Sequence, residues 1–160
     1  MNWEAIGAIG EILGAMAVVM TLVYLAVQVR YAKEAAADNN RIVRASGVRE
    51  MYMAQVNNPE FRSVLHKAGD SGYLQQIADD LGIIKEEADI LDAASGYWFW
   101  LHWGQYSSTH SESDLQELKN LIGSFYKTDS VYNCWKKSPW HRPLLDPKFV
   151  KFVDEIVERQ

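Results

Sequence analysis

At 160 residues the chain suits one domain plus an anchor. Hydrophobic residues make up 48%, yet the mean hydropathy is −0.22, so the hydrophobicity is concentrated rather than spread. The formal charge of −5 is uneven: residues 1–29 hold Glu4, Glu11 and no Lys or Arg, residues 30–50 hold five Lys/Arg against three acids, and residues 51–160 hold 11 against 16, an acidic balance that argues against nucleic acid as a partner.

From Ala5 to Val29 the strongly polar residues are Glu11 and Gln28, with Thr21 and Tyr24 milder. About 20 apolar residues suffice to cross the hydrocarbon core as a helix. A cleaved signal peptide needs a positive n-region and a short apolar stretch. "MNWE" supplies no positive side chain and the apolar run is long, so a retained transmembrane helix over residues 1–30 is expected. Arg30, Lys33, Arg41, Arg44 and Arg49 all follow it. The positive-inside rule then places the C-terminal part in the cytoplasm and the N-terminus outside. Trp3 and Tyr31, with Arg30 and Lys33, are expected at the membrane interfaces. The two aromatics are separated by about 42 Å of helix, close to a bilayer with headgroups.

Small and polar residues line one stripe of this helix. Gly7, Gly14, Thr21 and Gln28 repeat every seven, with Gly10 or Glu11, Ala17 and Tyr24 between them. "GEILG" within it is a GxxxG match, and small residues let helix backbones approach closely in lipid. The stripe predicts an oligomer seam. A carboxylate facing lipid costs several kcal/mol, roughly, so Glu11 is expected to face protein or water. Three roles stand open for it: polar glue between helices, a carboxylate ring lining a pore, or an interfacial group reaching headgroup water.

The segment 31–57 is expected to continue as a cytoplasmic helical extension, with Gly47 its weakest point. Residues 58–160 read as a cytoplasmic helical domain. Asn58 is placed to cap a helix with Pro59 at its first position, ending in "AGDSG" after Lys67. A short helix over 73–80 precedes a long one over 84–108, whose predicted buried face runs Ile84, Ala88, Leu91, Ser95, Trp98 and His102, broadened by Ile83, Ile90, Ala94, Tyr97 and Leu101. Ser113 and Gln116 have capping-box spacing. Asp129 is expected to cap the next helix, and Asp146 with Pro147 to start the last. No segment alternates with period two, so the fold class is all-α: one N-terminal span extended into a stalk, then a bundle of short helices.

Little chemistry is visible. In "GYWFWLHWGQY" the rings of Tyr97, Trp98, Trp100, Trp103 and Tyr106 are most simply core; Trp98, His102 and Trp103 are the candidates for contact with a flat ligand or a partner. His66, His102, His110 and His141 form no metal-ligand spacing, and His102 reads as a hydrogen-bonded structural histidine. Cys134, the single cysteine, cannot form an internal disulfide and reads as a buried small hydrophobe. There is no P-loop, GxGxxG, GxSxG or CxxC. No metal, cofactor or catalytic residue is expected.

The opening "NWEAIGAIGEILGAMAVVMTLVYLAVQVR", the later "NNPEF" and the ending "DPKFVKFVDEI" resemble a broad group of small, uncharacterised bacterial membrane proteins. That resemblance implies one N-terminal transmembrane helix and a helical cytoplasmic domain, and it carries over no catalytic residue. The expectation is a non-enzymatic bacterial inner-membrane protein in contact with lipid, self-assembling as a homo-oligomer through its seam. The alternatives are an accessory subunit packed on other membrane-protein subunits of a respiratory or photosynthetic complex, and a helical module for a hydrophobic ligand.

Overall fold

A computed structural model describes residues 2–69, 72–109 and 111–158. They form seven α-helices: α1 (Trp3–Asn57), α2 (Pro59–Gly69), α3 (Tyr73–Leu81), α4 (Lys85–Ser108), α5 (Glu112–Phe125), α6 (Asp129–Lys137) and α7 (Pro147–Glu158). A 3-10 turn, Arg142–Leu144, lies between α6 and α7. There is no strand among the described residues, and the chain is all-α. Asp70, Ser71 and His110 lie outside the described residues. The chain divides into two compact units, Met1–Asn40 and Arg41–Gln160, so the division falls within the 31–57 segment.

The first unit is the leading part of α1. From Ile6 to Val29 every residue is exposed. A helix satisfies its own backbone, so such a run needs no protein neighbour for its peptide groups. Among the described residues this is the one helix long and apolar enough to cross a membrane, with a mean hydropathy of 2.2 in its most apolar window. α1 continues through Gly47 without interruption.

The second unit is built around α4, which packs against α3, α5 and α6, while α7 packs on α5. Its core is aromatic. The ring of Phe99 lies 5.0 Å from each of Tyr126, Trp135 and His141, edge-on to the last two. Such tilted and T-shaped pairs each add about 0.5–1.5 kcal/mol beyond area burial. Ile77, Ile122, Phe149 and Val153 close the core around them. The last part of α1 joins it through Ala45 and Tyr52, both buried. Ala45 approaches α4 at Gly104, where a Cβ would stand 3.3 Å from the alanine methyl.

Local signals set most helix starts. Asn58 Oδ1 accepts the backbone N–H of Phe61 at 3.0 Å, with Pro59 as the first residue of α2. Asp146 Oδ1 accepts from Lys148 N at 2.7 Å before α7. Glu87 reaches back to the Ile84 N–H at 3.1 Å at the start of α4. α3 ends on Gly82 at φ 64°, a left-handed position that glycine occupies without strain.

Three expectations are corrected. α5 is capped by Ser111, which accepts from Asp114 N at 3.1 Å, while Ser113 lies inside the helix. Asp129 is the first residue of α6 and its cap position is Thr128. The buried face of α4 is only partly the one predicted: Ala88, Ser95 and His102 are buried as expected, whereas Ile84, just before the helix, Ile90 and Trp98 are exposed, and Asp92, Gly96, Phe99, Trp100 and Trp103 are buried in addition. The physical reason is Asp92. A carboxylate does not count toward an apolar face, yet here it points inward because other elements bring it donors.

Candidate functional site

Two arrangements stand out, one in each unit. In the first, Gly7, Gly10, Glu11, Gly14, Ala17, Thr21, Tyr24 and Gln28 all lie on α1 and all are exposed. A Cβ built on Gly7, Gly10 or Gly14 meets nothing within 4 Å, so these glycines relieve no crowding within the chain. Their smallness is free for a neighbour to use. The Thr21 hydroxyl donates to the Ala17 carbonyl at 2.8 Å, so its proton is spent inside the helix and only its lone pairs face outward. Trp3 and Tyr31 are exposed at either end of the run. Arg30 pairs with Glu34 at 3.1 Å on open surface, an i,i+4 contact that contributes little to stability. Lys33 is exposed.

In the second unit the aromatic helix is mostly interior. Trp103 is buried and meets Trp100 edge-on, with centroids 5.3 Å apart. His102 is buried, with Nδ1 3.3 Å from the Tyr126 hydroxyl. Burial lowers the His102 pKa to about 4 and raises that of Tyr126, so the pair is neutral near pH 7. Trp98 is 42% exposed and leans on His102 and Phe125. Of the three candidates for ligand or partner contact, it alone reaches the surface.

The notable arrangement is one the sequence did not reveal: a closed chain of polar groups through the core. Oδ1 of Asp92 (α4) lies 2.8 Å from Nε2 of His141, and Oδ2 accepts the hydroxyls of Tyr73 (α3) at 2.9 Å and Ser138 at 3.2 Å. Nδ1 of His141 lies 3.2 Å from the hydroxyl of Tyr52 (α1), which is also 3.3 Å from the Trp140 carbonyl. The backbone N–H of Trp140 donates to Ser138 Oγ at 3.3 Å, closing the turn. His141 is fully buried; Asp92 and Ser138 are 5% and 4% exposed. Burial first, and then the Asp92 charge, raise the pKa of Tyr52 and of Tyr73 well above the usual phenol range. Both therefore stay protonated and serve as donors. The Cys134 thiol is pushed up to about 12 by burial and by Asp92. The Trp100 indole N–H favours an ionised Tyr52 by its proximity, but it has no hydrogen-bond partner among the described residues.

Gly96 makes room for this chain. A Cβ there would lie 2.6 Å from Cε1 and Cζ of Tyr52 and 2.7 Å from Cε1 of His141. Glycine within a helix costs about 1 kcal/mol relative to alanine, and here it admits two rings against the α4 backbone. The five polar residues hold α1, α3, α4 and the turn after α6 in one register. Ser138 bonds to Asp92 rather than to the imidazole, and Ser138, Asp92 and His141 are all buried, so the serine is not placed as an activated nucleophile.

Nearby, Arg62 of α2 donates to the carbonyls of Gln55 and Val56, both at 2.8 Å, and pairs with Asp89 of α4 at 3.2 Å. It thereby satisfies carbonyls left open at the end of α1. No group of three or more candidate metal ligands occurs among the described residues. No protein-family model, curated protein or solved structure matches the chain.

Proposed function

We propose that the chain is a non-enzymatic bacterial inner-membrane protein that crosses the bilayer once through α1 and self-assembles through its small and polar stripe. The observation that carries this reading is the run Ile6–Val29, exposed at every position and apolar apart from Glu11, Thr21, Tyr24 and Gln28. The Lys/Arg asymmetry after the run supports a cytoplasmic C-terminal domain with the N-terminus outside. The unfilled space at Gly7, Gly10 and Gly14 supports close approach of a second helix. In this arrangement Glu11 faces the assembled seam, as glue or as a ring lining a pore.

The test is the oligomeric state in native-lipid nanodiscs. A symmetric assembly is expected, dispersed by Gly14→Leu. If the assembly encloses a pore, Glu11→Gln changes cation flux in liposomes without dispersing it. A monomer in nanodiscs refutes self-assembly. Recovery with other membrane subunits moves the reading to an accessory subunit of a larger complex.

A further inference from the structure

We propose that the Tyr52–His141–Asp92 chain is a proton-operated clamp, which tightens the grip of the domain on the end of α1 when His141 takes up a proton. The inference goes beyond self-assembly and does not depend on it.

The argument is a count of donors and acceptors. Oδ1 of Asp92 is an acceptor, so Nε2 of His141, 2.8 Å away, carries a proton. The other ring nitrogen, Nδ1, faces the Tyr52 hydroxyl at 3.2 Å, and the same hydroxyl faces the Trp140 carbonyl at 3.3 Å. A phenol has one proton to give. With Nδ1 bare, Tyr52 donates to it and leaves the carbonyl, or donates to the carbonyl and faces a bare lone pair. Either way one bond forms where two geometries are built. With Nδ1 protonated, the imidazole donates to Tyr52 Oη and Tyr52 donates to Trp140 O. Both bonds form, and the cation stands against the Asp92 carboxylate, where hydrogen bonds are stronger. Rotation of one hydroxyl is the only movement needed. Acid therefore tightens the clamp and alkali loosens it.

The surrounding groups leave this pair as the element that changes. Tyr52 of α1 and Tyr73 of α3 keep their protons, as does Tyr126 at the end of α5. From α6, Cys134 stays a thiol, and Lys137 pairs with Asp80. From α4, His102 stays neutral until about pH 4, and Asp89 is paired with Arg62 of α2. Arg142 beside His141 turns to Asp154 of α7, and Arg49 of α1 lies over Tyr97.

The experiment uses the full chain in detergent, with labelled histidine, from pH 8 to pH 5.5, the interval in which imidazoles change charge. Two readouts are taken: the ¹⁵N shifts of the His141 ring, and amide hydrogen-exchange protection over residues 45–56 corrected for intrinsic rates. Both His141 nitrogens are expected to reach the protonated shift at the acid end. Protection in wild type relative to Tyr52→Phe is expected to rise about five-fold over the same range, the effect of one added hydrogen bond. Tyr52→Phe keeps the ring and removes the relay. Ring shifts that do not move overturn the proposal, as does a protection change absent in wild type or equal in Tyr52→Phe.

Discussion

Replacing Gly96 with alanine sets a methyl carbon 2.6 Å from two ring atoms of Tyr52 and 2.7 Å from Cε1 of His141. Carbon atoms in contact settle at about 3.5–4.0 Å, so both rings have to withdraw by roughly 1 Å. Neither has room. Tyr52 is 5% exposed, His141 is fully buried, and Phe99 stands 5.0 Å from the imidazole. Overpacking of this kind costs about 1–3 kcal/mol. Withdrawal also strains the Tyr52–His141 and His141–Asp92 contacts, and losing one or two such bonds adds about 1–3 kcal/mol. The better helix propensity of alanine returns about 1 kcal/mol. The net expectation is a loss of about 1–5 kcal/mol.

Gly47 supplies the control. It is helical too, but a Cβ there meets nothing within 4 Å, so Gly47→Ala is expected to stabilise by about 0.5–1 kcal/mol. Urea unfolding of the full chain in detergent, followed by tryptophan fluorescence, measures both. The unit Arg41–Gln160 contains Trp98, Trp100, Trp103, Trp135 and Trp140, so it dominates the signal. With a slope of about 2 kcal/mol per molar urea, the midpoint falls by about 0.5–2.5 M for Gly96→Ala and rises slightly for Gly47→Ala. Equal shifts for the two variants would falsify the placement of the rings against Gly96.

Three further outcomes follow from single residues. His102 is held to about 4 by burial while an unfolded imidazole titrates near 6.5, so the unfolded chain binds more protons between those values. Its contribution is intact above about pH 6.5 and falls by up to about 3 kcal/mol as pH drops toward 4; unfolding curves of His102→Gln are expected to lose less stability than wild type over that window. Cys134, with its thiol near 12, should resist iodoacetamide at pH 8 in the folded chain and react once denatured, as intact mass will report. Ser111→Ala should cost about 1 kcal/mol by urea unfolding and Ser113→Ala close to nothing, since only Ser111 caps α5.

The readable parts of the fold are those fixed by neighbours in sequence. Asn58 with Pro59, and Asp146 with Pro147, announce their helices because a cap bonds within three residues. The run "SESD" was ambiguous for the same reason. Ser111 with Asp114 and Ser113 with Gln116 both have plausible spacing, and the choice depends on where packing of Leu118 and Ile122 starts the helix. The polar chain was illegible. Asp92 looks like an interruption in an apolar helix, and His141 like a stray residue in "SPWHRP". Their partners come from positions 52, 73 and 138, and no periodicity links those numbers. The buried face of α4 is legible only in part, at Ala88, Ser95 and His102, since a face drawn from apolar residues passes by Asp92 and Gly96.

The stripe on α1 raises a different question, which magnitudes can decide. Thirteen large aliphatic side chains between Ile6 and Val29 are exposed by 43–66%. Fully burying such a side chain is favourable by about 1.5–3 kcal/mol, so transfer of even half of each to lipid sums to at least about 10 kcal/mol. An acid at the centre of a span costs about 2.5–3.5 kcal/mol on an insertion scale. Glu11 is therefore too weak to keep the run out of a bilayer. In the proposed assembly it favours the side of the helix that meets protein, by at most that amount, since Glu11 lies nearer the start of the run than its centre. Rotating Glu11 toward lipid costs those few kcal/mol, whereas rotating Leu13 or Met20 there costs nothing. Gly7 and Gly14 share the acid's side of the helix, so in the proposed assembly the face on which a second backbone can come closest is also the one that would shelter Glu11 from lipid.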